Sequence, residues 1–476
     1  MSSQAVTRPL VDEGLVKAMI VAAMAWFLLA IVAGLLFSLQ FLQHYPFPTI
    51  EWLSPGRVRF VHTNMIAYGF LVNGLLAGVT WAIPRLTGRP LLFKRFSWVL
   101  FWAWQVLVVL TFTGLLTGHA QGVEWGETPT GFRPGAFNLK DMNWAPVDIL
   151  VVIAFIFVSI NYYTPVILSK SKAMYVSLWY FSAGFVWTAL TYVMGNFFPE
   201  YFLPGAAGAA VTGLFIHDLV GLFVTPMGWG LMYYFVPLIL KKPIWSHGLS
   251  LIGFWALAFF YPLNGVHHFL WSPIPMYAQY GAVISTIAVE VVVTTVVVNF
   301  FATIVGSGEA LRDSLPIRWF YTGMIFYFTT CLQCAVQVTL TVQKIIHFSD
   351  WVVGHSHLVM FGVFGFWVLG MMVHLWPKLT GNAWYNPRLN HWHFWLSAVG
   401  MFIMFWDLII AGLVQGYEWQ ALAPWEQSII SSAPFWMVRT VSGTMIVVAQ
   451  FIFAYNMWMT ARGARSRLYV AAPQPA

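Results

Sequence analysis

Apolar stretches about as long as a bilayer is thick recur from end to end of this chain. Nothing else in it constrains the fold so tightly. About twelve such runs can be read, at 16–42, 57–84, 96–118, 147–169, 174–199, 206–240, 247–272, 277–305, 316–343, 351–377, 391–415 and 433–461. A helix rises about 1.5 Å per residue, so roughly 20 apolar residues cross the hydrocarbon core. The chain is 59% hydrophobic and only 8% charged, where a soluble domain carries about 25% charged residues. The expectation is therefore an all-α integral membrane protein. It would have one polytopic domain over 16–461, because no long polar stretch separates the runs and no internal repeat is visible. The flanking pieces, 1–15 and 462–476, would be cytoplasmic. The first fifteen residues hold Arg8, Asp12 and Glu13 and show no short apolar core with a small-residue cleavage site, so no cleavable signal is expected.

Charge sets the orientation. With the N-terminus cytoplasmic, the inner side collects Arg8 and Lys17, the cluster Arg85, Arg89, Lys94 and Arg95, then Lys170, Lys172, Lys241, Lys242, Arg312, Arg318, Lys378, Arg388, Arg462, Arg465 and Arg467. These are 17 of the 23 lysines and arginines, as the positive-inside rule requires. Acidic residues such as Glu51, Glu124, Glu127, Asp141, Glu200 and Glu426 fall outside. Both termini are thus cytoplasmic. The net charge of +7 has a membrane explanation and does not call for nucleic acid.

Once oriented, the histidines form a layer. His62 lies five residues into the second helix from its outer end, and His357 six residues into the tenth. His267 and His268 stand just before the outer end of the seventh. His217 is about eleven residues down the sixth, roughly 16 Å. With His355, six histidines from four helices gather in the outer half of the membrane. Positions i and i+2 of a helix project about 200° apart, so His355 and His357 must serve different ligands. His267 and His268 are about 100° apart and can chelate one metal. Imidazole is the usual ligand of haem iron and of copper or iron at nitrogen-rich sites. The economical arrangement is two haems flanking the tenth helix, with a non-haem metal facing one of them. An aromatic content of 18% suits packing around flat cofactors, and interfacial girdles account for part of it. A different class of function is a transporter relaying protons through these histidines, Glu290 and Asp218. It predicts a colourless protein and gives no reason for two matched levels of histidine.

The residues resemble a known family. "RVRFVHTN" (57–64), "GLMYYFVP" (230–237), "LSLIGFWALAFFYPLNGVHH" (249–268), "PMYAQ" (275–279), "HFSDWVVGHSH" (347–357), "LNHWHFWL" (389–396) and "PFWMVRTVSGTMIVVAQFIFAYNMWMTAR" (434–462) are similar to subunit I of the haem-copper oxidase superfamily. The resemblance is above all to the cbb3-type (C-family) oxidases, with nitric oxide reductase-like departures. It implies that His62 and His357 ligate a low-spin haem b and that His355 is the proximal ligand of a second, high-spin b-type haem. His217, His267 and His268 would hold the non-haem metal, copper in the oxidases and iron in the nitric oxide reductases. Arg59 and His347 match positions near the haem propionates. His44, His119, His374, His391 and His393 match no metal position.

The substrate, O2 or NO, turns on a few residues. Tyr261 matches the C-family's redox-active tyrosine, and it lies seven residues before His268, about 20° off the same helical face and some 10 Å deeper. Thr225, Tyr233 and Ser250 match that family's proton path from the cytoplasm, with His247 where the family has a tyrosine. Against oxygen stand Gln333, where the C-family has a glutamate, and Glu290, in the middle of the eighth helix. A carboxylate suits iron better than copper. Yet Gly221 occupies the place of the nitric oxide reductases' glutamate four residues after the sixth-helix histidine. The expectation is an oxygen reductase, with nitric oxide reductase as the alternative and Glu290 as its iron ligand. Tyr261, Glu290 and Gln333 are the candidate catalytic residues.

Cys331 and Cys334 lack the histidine of a haem c attachment motif and read as packing thiols. No such motif occurs elsewhere, so the resemblance implies a membrane-anchored cytochrome c-type partner as electron donor. In the outer loop "HAQGVEWGETP" (119–129), Glu124 and Glu127 are candidates to hold a calcium ion, or are a solvated acidic loop. The implied location is the cytoplasmic membrane of a bacterium or archaeon, with lipid around the chain.

Overall fold

In the computed structural model, residues 9–118, 120–121, 125–126, 147–171, 173–203 and 205–463 are described. Eleven of the twelve expected runs become single helices long and apolar enough to span. They are α1 (Glu13–Leu42), α2 (Pro55–Thr87), α3 (Lys94–Thr117), α4 (Ile149–Ile167), α5 (Val176–Asn196), α6 (Ala206–Leu240), α7 (His247–Phe269), α8 (Met276–Ile304), α10 (Asp350–Thr380), α11 (Pro387–Gln420) and α12 (Trp425–Ala461). The ninth run differs from the expectation. Helix α9 (Leu315–Gln337) ends, and a short helix, Leu340–Ile346, continues at 105° to it. At the break, Gln337 Oε1 accepts from Trp351 Nε1 (3.1 Å) and Gln337 Nε2 lies 3.2 Å from His355 Nε2. Outside the helices, Ala120–Gln121 and Trp125–Gly126 form a two-residue antiparallel ladder in the outer loop.

Burial separates the helices into two classes. The spanning windows of α2 and α10 are 94% and 83% buried, while that of α4 is 28%. Four of the six layered histidines ride on α2, α6 and α10, and the other two on α7. Peripheral helices instead show apolar side chains to the outside, among them Trp102 and Val106 on α3 and Ile284 and Val291 on α8. An apolar exterior around the whole bundle is what a lipid-solvated multi-pass protein presents.

Helix ends follow local chemistry. Asp12 caps α1 by accepting from the Leu15 amide (3.2 Å), and Ser246 caps α7 by accepting from the Leu249 amide (3.0 Å). Two of the cations expected on the cytoplasmic side also act as caps: Lys242 Nζ donates to the Val305 carbonyl (2.8 Å) and Arg89 Nε to the Leu168 carbonyl (2.8 Å). Both carbonyls sit just past helix C-termini, where positive charge meets the negative end of the helix dipole. At the outer side, Asp350 accepts from Gln415 (2.7 Å) and Trp436 (2.8 Å) and pairs with the buried Arg439 (3.8 Å), joining α10, α11 and α12.

Three departures from regular α-helix matter below. Widened π-turns run over Met65–Leu71, Val220–Val224 and Leu358–Gly365, just after His62, His217 and His357, with a fourth over Val193–Phe197. Helix α7 is α-helical only to Phe260 and finishes as two 3₁₀ turns, Tyr261–Leu263 and Gly265–Phe269. Pro262 lacks the amide needed to continue the α-ladder and crowds the carbonyl four residues earlier. Helix α8 is interrupted at Val289, immediately before Glu290.

Polar pairs join the apolar helices. Buried His393 on α11 bonds Gln450 of α12 (3.0 Å), which in turn donates to Ser397 (2.9 Å). Replacing Gln450 by Leu strands His393 in the bundle. It should cost about 1 kcal/mol, the scale of interhelical hydrogen bonds in membranes, read as a lower unfolding temperature of the purified protein with no change in its cofactor content.

Candidate metal and cofactor centre

Two imidazoles, from α2 and α10, face each other. The His62 and His357 ring centres are 6.0 Å apart with planes inclined by 24°. Their Nδ1 atoms lie 2.8 Å from the Ala30 and Val353 carbonyl oxygens, which can only accept, so each Nδ1 carries its proton and donates it. That tautomer leaves both Nε2 lone pairs free. A metal bonded at about 2 Å to two opposed imidazole nitrogens separates the ring centres by roughly 6 Å, so the pair fits an iron held between them. Gly34 of α1 makes the arrangement possible, since an added Cβ there would come 2.5 Å from His62 Nδ1.

On the opposite side of α10, His355 faces a cavity of about 270 Å³. The expected divergence of His355 and His357 therefore holds. Gln333 Oε1 accepts from His355 Nδ1 (3.2 Å), and the Gln337 amide donates to Nε2 (3.2 Å). His355 Nε2 is therefore the acceptor nitrogen, held at the cavity wall with Gln337 as its hydrogen-bond partner. Left empty in a close-packed interior, such a void would cost roughly 6 kcal/mol at about 24 cal/mol per Å³. Its size and its histidine wall fit a large flat group bound to His355.

His217, His267 and His268 close the far wall, with ligating nitrogens all within 4.8 Å of one another. His217 Nδ1 and His268 Nε2 face each other at 3.1 Å. Two facing imidazole nitrogens require a shared proton or a shared cation. The Thr286 hydroxyl donates to the Ala282 carbonyl (2.6 Å) and so accepts from His267 Nδ1 (2.9 Å), turning His267 Nε2 inward. Three neutral, pre-oriented imidazoles are a donor set for copper or iron.

Tyr261 lies on His217, ring centres 5.0 Å apart and planes 10° apart. It reaches this place by another route than the expected shared helical face with His268, because α7 has already left α-helical geometry at that point. Glu290 lines the same cavity, and its Oε1 has no hydrogen-bond partner among the described residues. It stands outside the group of three converging histidines. Cys331 and Cys334, expected as packing thiols, also line the cavity, Cys334 Sγ lying 3.8 Å from His355 Nε2. Asp218 is buried beside His217 but outside the cavity lining.

At the cavity's outer end stands His347, which burial pushes below its usual pKa. Arg59 is exposed at the start of α2, its guanidinium 6.0 Å from the Phe60 ring. Thr225 lines the cavity on the inner side. Toward the cytoplasm, Ser250 donates to the His247 carbonyl (2.7 Å), Tyr180 donates to the Ser250 carbonyl (3.4 Å) and stacks on Tyr233 (6.0 Å), and Tyr175 donates to the Tyr233 carbonyl (2.7 Å). Tyr175, Tyr180, Thr286 and Gly34 were not singled out from the sequence. The spacing of Thr286 from the Gln279 of "PMYAQ" carried no signal without the neighbouring helix. His374 Nε2 lies 2.7 Å from Lys378 Nζ. Glu124, Glu127 and His119 lie outside the described residues.

The sequence profile of the family described as cytochrome C and Quinol oxidase polypeptide I matches residues 14–445. The cbb3-type cytochrome c oxidase subunit CcoN1 of Stutzerimonas stutzeri is 26% identical over 474 residues, covering 96% of this chain and 97% of that one. The cytochrome c oxidase subunit 1 of Rhodobacter capsulatus is also 26% identical, covering 94% and 85%. Among solved structures, a haem-copper terminal oxidase dimer studied by cryo-EM is similar in fold, with a TM-score of 0.77 at 13% identity over 97% of this chain and 86% of that one.

Loss of the Thr286 hydroxyl tests the site without touching a ligand. Thr286→Val should free His267 to rotate and weaken retention of the non-haem metal about 10- to 100-fold, measured as metal per haem after dialysis against a chelator.

Proposed function

The chain belongs to the cytochrome c and quinol oxidase polypeptide I family, and on that footing we propose that it is the oxygen-reducing subunit of a respiratory terminal oxidase. The observation that carries this reading is Tyr261 stacked on His217 in the wall of the cavity that His355 faces. When bound, a b-type haem on His62 and His357, a second on His355 and a copper on His217, His267 and His268 supply electron transfer and oxygen binding.

The chain's own residues do the rest. Backbone carbonyls fix the tautomers of His62 and His357, and Gln333 and Thr286 fix those of His355 and His267. Reducing dioxygen to water takes four electrons and four protons, and a phenol can give one of each at the site itself. Tyr261 is the only tyrosine in ring contact with His217 among the described residues. Thr225, Tyr233, Ser250 and His247 mark a route for protons from the cytoplasm, and Tyr175 and Tyr180 extend it by contact. In this reading Arg59 and His347 would meet the haem propionates. Electrons arrive from a membrane-anchored cytochrome c-type subunit on the outer side of a bacterial cytoplasmic membrane.

Support for oxygen over nitric oxide comes from Tyr261 and from Glu290, which stands apart from the three-histidine group. As a buried carboxyl in the cavity wall, Glu290 handles protons in this reading and does not ligate iron.

The purified complex should hold one copper per catalytic subunit, with all its iron accounted for by haem. An additional non-haem iron in place of copper would transfer the reading to nitric oxide reduction. Tyr261→Phe should lose oxygen turnover about 10²-fold or more while both haems and the copper remain. Full turnover in that variant would remove Tyr261 from the mechanism.

A further inference from the structure

His217 has a glycine one helical turn away on each side, Gly213 and Gly221. Gly213 shares an α-helical stripe with His217, and Gly221 follows within the π-turn Val220–Val224. A Cβ added to Gly213 would fall within the ring of Phe269, and one added to Gly221 within the ring of Tyr261. Each glycine is therefore a socket filled by an aromatic ring. Both rings come from the short stretch that supplies the other two imidazoles: Tyr261 lies six residues before His267, and Phe269 directly follows His268. Between them, Gly265 packs so closely on α6 that a Cβ there would overlap the backbone of Leu214.

These three contacts carry an unusual burden, because the stretch they hold is not α-helical. Residues 261–269 form two 3₁₀ turns, whose hydrogen bonds are poorer than those of an α-helix and whose runs are short. The orientation of His267 and His268 relative to His217 is thus set less by the chain itself than by what it docks onto.

We propose that Gly213 and Gly221 are positioning residues that assemble the three-histidine site by seating Phe269 and Tyr261 on either side of His217. The two sockets have separable effects. Phe269 is bonded to a ligand residue, so the Gly213 socket governs how well the three nitrogens converge. Tyr261 is six residues from the nearer ligand, His267, so the Gly221 socket governs whether the phenol stacks on His217. A side chain at 221 and the stacked Tyr261 exclude one another. The inference rests on the reading above in taking the three histidines as a metal site, whichever metal it holds, and, for the peroxide readout of the Gly221 socket, in taking O2 as the substrate.

Metal and haem content of the purified complex provide the test. Gly213→Ala should lower non-haem metal per haem about tenfold or more, with the low-spin haem spectrum unchanged. Adding Phe269→Leu, which shrinks the ring to match, should restore most of the metal. Gly221→Ala should keep the metal and raise the hydrogen peroxide released per oxygen consumed several-fold. If Gly213→Ala does not assemble, Phe269→Ala empties the same socket without a clash and should also lose metal. Wild-type metal content in Gly213→Ala or Phe269→Ala, failure of Phe269→Leu to rescue, or a wild-type peroxide yield in Gly221→Ala would each overturn the proposal. The identity of the metal in the wild type, copper or iron, bears on the oxidase reading alone, whereas the ratio of variant to wild type bears on the docking.

Discussion

Lipid offers no hydrogen-bond partner, so a histidine in a membrane helix must have both ring nitrogens accounted for inside the protein. That requirement organises the structure around α2 and α10. Carbonyls of Ala30 and Val353 take the Nδ1 protons of His62 and His357, and Gln333 and Thr286 take those of His355 and His267. In each case the remaining nitrogen is the acceptor: the rings of His62 and His357 face each other, while His355 and His267 line the cavity on the other side of α10. The two most buried spans, α2 and α10, carry three of the six histidines, and on α1 a residue larger than Gly34 would strike the His62 ring.

Helical regularity gives way wherever this constraint conflicts with it. Three π-turns follow His62, His217 and His357, and α7 turns 3₁₀ at Pro262 before reaching His267. Such segments weaken backbone hydrogen bonding, which is tolerated at membrane depth only where protein or a cavity surrounds them. Here they re-aim side chains that a uniform helix would misdirect. The ends of the bundle show the opposite economy: Lys242 and Arg89 on the inner side cap helix carbonyls while also setting the charge asymmetry that orients the chain.

The spans were legible in the sequence, because crossing the bilayer is a property of a local run of apolar residues. The orientation expected for the chain comes from counting cations in alternate loops and rests on the sequence alone. The six histidines stood out by depth, and the i, i+2 divergence of His355 and His357 followed from helix geometry alone. The 105° bend within the ninth run was not legible, because the sequence there reads as one apolar stretch. Cys331 and Cys334 read as packing thiols, but they line the cavity, since an apolar run does not say which of its faces meets empty space.

The sequence by itself determined that this chain crosses the membrane about twelve times and that His355 and His357 diverge to different sides of one helix. Each of these follows from composition and from spacing along one helix. Tertiary structure alone decided that His217, His267 and His268 converge within 4.8 Å, that Glu290 stands apart from them, and that Tyr261 reaches His217 by docking over Gly221. Reading periodicity assumes a constant turn of about 100° per residue. These placements arise where that assumption fails, in π- and 3₁₀-turns whose direction is fixed by the neighbouring helix rather than by their own residues.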